Sequence, residues 1–150
     1  MISDEKPIDF QPKFEVVGCF IEYHNNILLL KRSPFKPQPN TYGTPGGKVK
    51  LKETIIEAMI RETEEETSLK LSPNQLQFYK TKYVIYPEYQ YLYHMFFYQC
   101  TNEPIIKINP TEHQDYIWIN PQNALLLNLI QDEDYCIIDY YHLNLLNPII

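Results

Sequence analysis

The chain has 150 residues, of which 44% are hydrophobic and 21% are charged. This size and balance predict one globular domain and exclude an intrinsically disordered or collagen-like chain. A net charge of −6 argues against a protein that coats nucleic acid or an anionic membrane, although an acidic chain can bind a small phosphate ligand together with a cation.

The cysteines and the N-terminal segment predict a cytoplasmic protein. Cys19, Cys100 and Cys136 are odd in number, lie far apart and lack the spacing of a zinc site, so a reduced compartment suits them. Residues 1–12 lack the apolar run of a signal peptide, and the longest apolar runs are too short to cross a bilayer. We expect residues 1–12 to form a loose arm ahead of the first strand, and no membrane or nucleic-acid partner.

The first half of the chain predicts a hairpin, a loop and one long helix. Two apolar runs, Phe14–Tyr23 and Ile27–Lys31, flank a turn signal and predict paired strands. Three prolines predict a loop over residues 33–40, and Thr44-Pro45-Gly46-Gly47 predicts a break. We expect a helix over Thr54–Thr67, because its first residue and Glu57 fit a capping box.

The second half predicts three further strands and a closing helix. The strands are expected at Gln75–Ile85, Tyr89–Cys100 and Tyr116–Ile119, with residues 102–110 left open between strand and loop. A short helix is expected over residues 121–129, and a closing helix over Asp132–Leu145. No repeat or second-domain linker is present, so residues 1–150 are expected to form one domain, an α/β or α+β sandwich with a mixed sheet.

The long helix carries an acidic stripe beside its apolar face. At about 100° per residue, Glu62, Glu65 and Glu66 fall on one stripe. This stripe lies at the edge of an apolar face made of Ile55, Ile56, Met59, Ile60, Thr63 and Thr67. Acids that serve only solubility should lie opposite that face, as Glu57 and Glu64 do. The simple alternative is a solvated acidic surface without a metal, but a divalent cation would turn the repulsion among the three carboxylates into coordination.

Two glycines directly before the helix strengthen the metal hypothesis. Gly46 and Gly47 permit the backbone to approach a ligand closely and to adopt a positive φ. On its own a Pro-Gly-Gly sequence is usually an ordinary turn. Next to an acidic helix edge, it can also supply a carbonyl oxygen to a cation.

These residues together resemble the signature of the Nudix hydrolase family. That signature is G-x5-E-x7-R-E-U-x-E-E-x-G-U, where U is apolar. Its charged positions are matched by Glu53 and the run Arg61-Glu62-x-x-Glu65-Glu66, which follow Gly47 at the required spacing. Ser68 replaces the second motif glycine and Thr63 an apolar position, and neither change removes a candidate ligand.

The flanking sequence extends the resemblance over about residues 16–145. Leu28–Arg32 resembles the strand that precedes the glycine loop in this family. Glu112 and Trp118 resemble an outlying acidic residue and the tryptophan-bearing strand that follows it. Tyr42 replaces a tryptophan often found before the Pro-Gly-Gly sequence, which leaves the substrate class open.

The resemblance implies a Nudix-like α/β/α sandwich that cleaves a nucleoside diphosphate linked to another group, using water and Mg²⁺ or Mn²⁺. It implies that Glu53 and Arg61 form an ion pair between loop and helix. It leaves the base that activates water open between Glu62 and Glu112. The implied metal ligands are the carboxylates of Glu62, Glu65 and Glu66 and the carbonyl of Gly46 or Gly47.

The substrate side is less determined. Arg32 and Lys48 are candidates for binding phosphate, and Asp132 and Asp134 for binding a base edge, as acids do in purine-triphosphate members of the family. His113, which follows Glu112, is expected at the surface, with contact to phosphate as the alternative. Several aromatic residues are expected mainly to pack, although some could stack on a base; they include Tyr86, Tyr89, Tyr91 and Tyr93.

The resemblance favours a nucleoside triphosphate as substrate, because family members that cleave nucleotide sugars often carry an extra N-terminal region, whereas only about a dozen residues precede the first strand here. The alternatives are an ADP-ribose or nucleotide-sugar pyrophosphatase, and a non-catalytic nucleotide-binding module. The expected partner is a small nucleotide, and a homodimer is also compatible with the sequence.

Overall fold

Eight strands form one mixed sheet in the computed structural model, which describes residues 1–144. The strands are β1 (Ile2–Ser3), β2 (Phe14–Tyr23), β3 (Asn26–Arg32), β4 (Tyr42–Gly43), β5 (Gly46–Lys48), β6 (Gln77–Ile85), β7 (Gln90–Gln99) and β8 (His113–Ile119). The helices are α1 (Ile55–Thr67), α2 (Pro121–Ala124) and α3 (Glu133–Tyr141), with a short 3₁₀ turn at Pro73–Gln75. The predicted sandwich with a mixed sheet is therefore present.

The sheet runs β1-β6-β7-β2-β3-β4, with β5 paired to β2 and β8 paired to β3. The pairing of β2 with β7 is parallel, whereas the other pairings between these strands are antiparallel. Strand β2 pairs with β5 at Val16, Val17 and Gly18 and with β3 only at its far end. The glycine strand β5 is thereby fixed directly beside the centre of the sheet.

The two faces of the sheet bury two separate cores. Helix α1 covers one face, where Val17 and Leu28 pack with Met59. Helices α2 and α3 cover the other face, where Phe20 and Leu29 pack with cysteine and isoleucine side chains of α3. Since successive strand residues point to opposite faces, both faces of β2 and β3 must be apolar. This explains why these two strands have continuous apolar sequences.

Helix α1 begins and ends as its terminal residues dictate. The Thr54 hydroxyl accepts a hydrogen bond from the Glu57 N–H, and the Glu57 carboxylate accepts one from the Thr54 N–H, so the predicted capping box is present. Ser68 ends the helix in the left-handed region, at φ 66°. A residue other than glycine there costs on the order of 1 kcal/mol. The Ser68 hydroxyl donates a hydrogen bond to the Lys107 carbonyl at 3.0 Å, which partly offsets this cost.

The first twelve residues are packed against the sheet rather than forming a loose arm. Strand β1 pairs with β6, and Phe10 is buried with its ring edge-on to Tyr83 at a centroid distance of 5.2 Å. Asp4 accepts hydrogen bonds from Lys80 and Lys82 at 3.2 and 2.6 Å. These contacts could not be predicted from local sequence, because the lysine partners lie more than seventy residues away.

Several predicted boundaries are also wrong. Residues 46–48 form β5 instead of a break, and both of its glycines have negative φ, because β2 supplies the hydrogen-bond partners of an extended backbone. The helix expected over residues 121–129 stops at Ala124. Residues 102–110, for which strand and loop were both open, form a loop. Strand β8 begins at His113, three residues early. The closing helix ends at Tyr141, and Leu145 lies outside the described residues.

The apolar face of α1 is rotated relative to the prediction. Ile56 is 39% exposed, whereas Ala58 and Glu66 are buried with the core residues of the helix. The small side chain of Ala58 lets this side of the helix lie close to the sheet. The rotation moves the acidic edge of the helix toward β5. No helix within residues 1–144 is long and apolar enough to cross a membrane.

Candidate active site

A cavity of about 210 Å³ lies between β2, β5, β7 and the start of α3. Its walls combine glycine backbone with acidic, basic and tyrosine side chains. Glycine backbone comes from β5, a carboxylate from α1, two tyrosines from β7 and two acids from the α3 N-terminus. These side chains are Glu66, Tyr91, Tyr93, Asp132 and Glu133, with Arg32 and His113 on the wall near β8.

The two glycines of β5 are required by close contacts rather than by backbone conformation. A Cβ atom at Gly46 would lie 2.2 Å from the Val17 carbonyl oxygen, and one at Gly47 would lie 2.3 Å from the Glu62 Cδ. The Gly46 N–H donates a hydrogen bond to the Glu66 carboxylate at 3.4 Å. The absence of side chains on β5 therefore allows α1 to bring two carboxylates against this strand.

Replacing Gly46 with alanine should destabilise the fold by about 1–3 kcal/mol, because the new Cβ meets backbone that cannot move aside without breaking the β2–β5 pairing. Gly47→Ala is the matched control and should cost less, because the Glu62 side chain can rotate away. Urea unfolding of both variants measures the difference. Equal losses of unfolding free energy in the two variants would contradict this difference between a backbone contact at Gly46 and a side-chain contact at Gly47.

Arg61 ties the loop before α1 to the acidic edge of the helix. Its Nε and Nη2 atoms donate to the two carboxylate oxygens of Glu53 at 2.7 and 2.8 Å, which is the ion pair that the sequence predicted. Nη2 also donates to the Lys48 carbonyl at 3.0 Å, and Nη1 to Glu62 at 2.7 Å and Glu65 at 3.3 Å. The hydrogen bonds from Arg61 to Glu53 lower the pKa of Glu53 to about 2. One guanidinium thus orients three carboxylates and one strand.

The three carboxylates of the predicted stripe differ in exposure. The side chains of Glu62 and Glu65 are 13% and 51% exposed, and Glu66 is 9% exposed. Burial raises the pKa of Glu62, and burial together with the charge of Glu62 raises the pKa of Glu66 well above its usual range. Two of the three acids therefore lie close together in a partly dry place, and the third faces solvent.

The donors suit a divalent cation, although they do not enclose one as they stand. Within residues 1–144, no three His, Cys, Asp or Glu side chains converge closely enough to hold an ion. The available donors are nevertheless all oxygens, from carboxylates and from the β5 backbone, as Mg²⁺ prefers. The missing side chain at Gly47 lets the Glu62 carboxylate lie against β5. Burial, and next the charge of Glu62, raise the pKa of Glu66, and a cation would offset the second of these causes.

The other predicted site residues fall into two groups. Arg32 and Asp132 line the cavity. Arg32 is oriented by a hydrogen bond from its Nε to the Pro37 carbonyl at 2.8 Å, and Asp132 accepts one from the Tyr86 hydroxyl. The remaining three do not contact the cavity. The Glu112 carboxylate is paired with Lys36 at 3.0 Å, Lys48 lies over the Phe14 ring, and Asp134 is exposed on α3.

Glu133 is a cavity residue that the sequence analysis missed. Its Oε2 accepts hydrogen bonds from the Thr44 N–H and hydroxyl at 3.3 and 3.4 Å, while its buried Oε1 has no partner among the described residues. Burial raises its pKa to about 7. The spacing of Glu133 to Cys136 and Ile137, at i, i+3 and i+4, would have placed it on the buried face of α3.

His113 was expected at the surface but is buried in the cavity wall at 8% exposure. It begins β8 and pairs with Arg32, so the sheet turns its ring inward. Burial and the charge of Arg32 lower its pKa to about 4, so the ring is neutral near pH 7. Its Nδ1 has no hydrogen-bond partner within residues 1–144 and is available to a ligand.

The raised pKa of Glu133 predicts a pH-dependent stability. The folded state binds the proton of the Glu133 carboxyl more tightly than the unfolded chain does. The protonated carboxyl therefore contributes its full stabilisation below about pH 4.5, and this stabilisation is lost as pH rises through about 7. Glu133→Gln should therefore become more stable than the wild type as pH rises, by about 3 kcal/mol at most. Urea unfolding between pH 5 and pH 8 measures this, and Asp134→Asn is the exposed control. A constant difference between Glu133→Gln and the wild type would refute the shift.

Comparisons with known proteins agree on one family. A family model described as NUDIX domain matches residues 12–141. The chain is 40% identical over 62 residues to the m7GpppN-mRNA hydrolase NUDT17 of Danio rerio, which covers 40% of this chain and 21% of that protein. It is 49% identical over 55 residues to the ADP-ribose pyrophosphatase of Methanocaldococcus jannaschii, and this match covers 35% of this chain and 31% of that protein. Both matches thus span less than a third of the curated relative.

A solved structure extends the similarity to most of the fold. It is a bifunctional NMN adenylyltransferase/ADP ribose pyrophosphatase from Francisella tularensis, complexed with AMP and a manganese ion. Its TM-score is 0.69 at 27% identity, over 89% of this chain and 42% of that chain.

Proposed function

Since the chain belongs to the NUDIX family, we propose that it hydrolyses a phosphoanhydride bond in a substrate that links a nucleoside diphosphate to another group. The observation that carries this proposal is the position of Glu66. Its carboxylate is buried, lines the cavity and meets the backbone N–H of Gly46. That single hydrogen bond leaves carboxylate lone pairs free in the cavity, where a cation could use them.

We propose that the reaction uses Mg²⁺ or Mn²⁺. The residues that would hold the ion are Glu62, Glu65 and Glu66 with the carbonyl of Gly46 or Gly47. When bound, the ion would neutralise phosphate charge and lower the pKa of attacking water. The complex of the Francisella tularensis relative with AMP and a manganese ion supports this choice of metal.

The residues of the chain contribute charge and position. Arg61 holds Glu62 and Glu65 in place while it remains bonded to Glu53. Arg32, on the cavity wall, offers positive charge to a phosphate oxygen. The base that accepts a proton from water is proposed to be Glu62 or Glu112.

Two classes of substrate differ in the group that is attached to the nucleoside diphosphate. Nucleoside triphosphate hydrolysis follows from the sequence analysis. ADP-ribose or nucleotide-sugar hydrolysis is the second candidate, and the name of the Methanocaldococcus jannaschii relative favours it. Asp132 and Glu133 are proposed to contact the base, because both line the cavity and Glu133 has an oxygen without a partner. We further propose a reduced, cytoplasmic setting, which the three buried, unpaired cysteines support.

A substrate panel tests the proposed function. Nucleoside triphosphates, ADP-ribose, nucleotide sugars and dinucleoside polyphosphates are incubated with the protein and Mg²⁺, and the products are separated by chromatography. We expect cleavage of at least one phosphoanhydride bond, and no cleavage after chelation of the metal. Tight nucleotide binding without turnover of any compound would instead support a non-catalytic binding module and contradict the proposal.

A further inference from the structure

Four aromatic rings form a continuous surface next to the mouth of the cavity. They are Phe14, Tyr86, Tyr89 and Tyr91, which we call the aromatic rim. The Phe14 and Tyr91 rings are stacked, with centroids 5.1 Å apart and planes at 11°. Tyr89 lies 5.6 Å from both Phe14 and Tyr86. The four rings come from the start of β2 and the β6–β7 hairpin, which parallel pairing of β2 with β7 places together.

The aromatic rim is continuous with the candidate active site at two points. Tyr91 belongs to both, because its side chain also lines the cavity. Tyr86 donates a hydrogen bond to Asp132, another cavity residue. The aromatic rim is therefore directly adjacent to the candidate active site.

A cation accompanies the rings. The Lys48 Nζ lies 4.3 Å above the Phe14 ring, and Lys48 forms no ion pair with any residue from 1 to 144. Lys48 is on β5, two residues after Gly46, so the two residues are about 7 Å apart along the strand. Lys48 does not line the cavity, so only a phosphate bridge that extends out of the cavity along β5 would reach this amine.

Packing alone does not account for the aromatic rim. Tyr89 is 39% exposed, although it stands among three rings that could have covered it. Partly exposed rings beside an unpaired lysine are suited to a ligand that is aromatic and negatively charged.

We propose that the aromatic rim is a second substrate subsite, which stacks an aromatic base at the far end of a phosphate bridge while Lys48 binds the bridge. The proposal rests on the proposed function, because it assumes that the bridge begins at the glycine strand. It selects a substrate class: a nucleotide whose phosphate bridge carries a second aromatic base, in preference to a plain nucleoside triphosphate or a nucleotide sugar.

The test compares two ligands that differ only in the second base. Methylene-bridged, non-hydrolysable forms of diadenosine tetraphosphate and of adenosine tetraphosphoribose, whose second ribose carries no base, are titrated by calorimetry, so binding is measured without turnover. We expect the wild type to bind the dinucleoside compound at least about fivefold more tightly, as stacking of one base on an aromatic side chain would give.

Variants assign this difference to the aromatic rim. Tyr89→Ala should abolish it, Tyr89→Phe should keep it, and Lys48→Met should weaken binding of both compounds. Tyr116→Ala is the control, since Tyr116 has the same exposure, 38% against 39%, but lies on β8 outside the cavity wall. Equal affinities for the two compounds in the wild type, or an unchanged difference in Tyr89→Ala, would overturn the subsite. Either result leaves the substrate panel untouched, so failure of the subsite is distinguishable from failure of the proposed function.

Discussion

Replacing Glu66 with glutamine is expected to lower the turnover number about a hundredfold or more, while the fold remains at least as stable as the wild type. The loss follows from the proposed role of this carboxylate, since removing one charge-stabilising group from an active site typically costs a factor of about 10²–10³. Turnover is measured on whichever compound the substrate panel identifies.

The expected stability has a separate cause. Burial and the neighbouring Glu62 raise the pKa of Glu66 well above its usual range, so ionisation of this carboxyl disfavours the folded state. Glutamine keeps the shape and removes that charge. Glu64→Gln is the matched control, because Glu64 lies on the same helix, is exposed and is far from the cavity wall. Turnover by Glu66→Gln within about twofold of the wild type would contradict the assignment of this residue.

Replacing Arg61 with alanine should have the largest effect on stability, a loss of about 2–3 kcal/mol. Its guanidinium is 19% exposed and bonds the carboxylates of Glu53 and Glu62, which are 14% and 13% exposed. Removing one partner of a buried ion pair leaves a charge without compensation, which is why such losses are larger than those of surface pairs. The stability of Arg61→Lys should lie between those of Arg61→Ala and the wild type, because lysine keeps the charge but cannot form the bidentate contact with Glu53.

Urea unfolding of Arg61→Ala and of Lys70→Ala measures this difference. Lys70 is the control, because its side chain is 83% exposed and its Nζ lies as far as 3.9 Å from the Glu64 carboxylate. Lys70→Ala should therefore lower the free energy of unfolding by less than about 0.5 kcal/mol. If the two variants lost equal stability, Arg61 would not be the residue that joins the loop to the helix.

The local part of the fold could be predicted from the sequence, because short-range rules determine it. The capping box at Thr54, the apolar strands β2 and β3 and the acidic edge of α1 all follow from spacing within one element. The left-handed conformation of Ser68 at the end of α1 does not follow from spacing, since only the family motif has a glycine at this position.

Features that depend on distant pairing could not be predicted in the same way. The sequence Pro45-Gly46-Gly47 favours a turn, and only its pairing with β2 makes residues 46–48 a strand. The ordered N-terminal residues depend on Lys80 and Lys82, and the inward side chain of His113 depends on pairing with β3.

The candidate site shows the same division. Glu62 and Glu66 could be placed on the inner edge of α1 from helical periodicity, and the structure brings both beside β5. Glu133 was missed because acids at a helix N-terminus have an ordinary explanation in the helix dipole. Asp134 is the next residue on α3, and neighbouring helix residues point in directions about 100° apart. Glu133 therefore lines the cavity while Asp134 is exposed.

The central claim is that the acidic edge of α1 binds a divalent cation beside the glycine strand. Titration with Mn²⁺, followed by the electron paramagnetic resonance signal of the free ion, tests this claim most directly, since it requires neither a substrate nor turnover. We predict that the wild type and Glu64→Gln remove Mn²⁺ from solution equally, and that Glu66→Gln removes much less. Uptake by Glu66→Gln equal to that of the wild type would contradict the account.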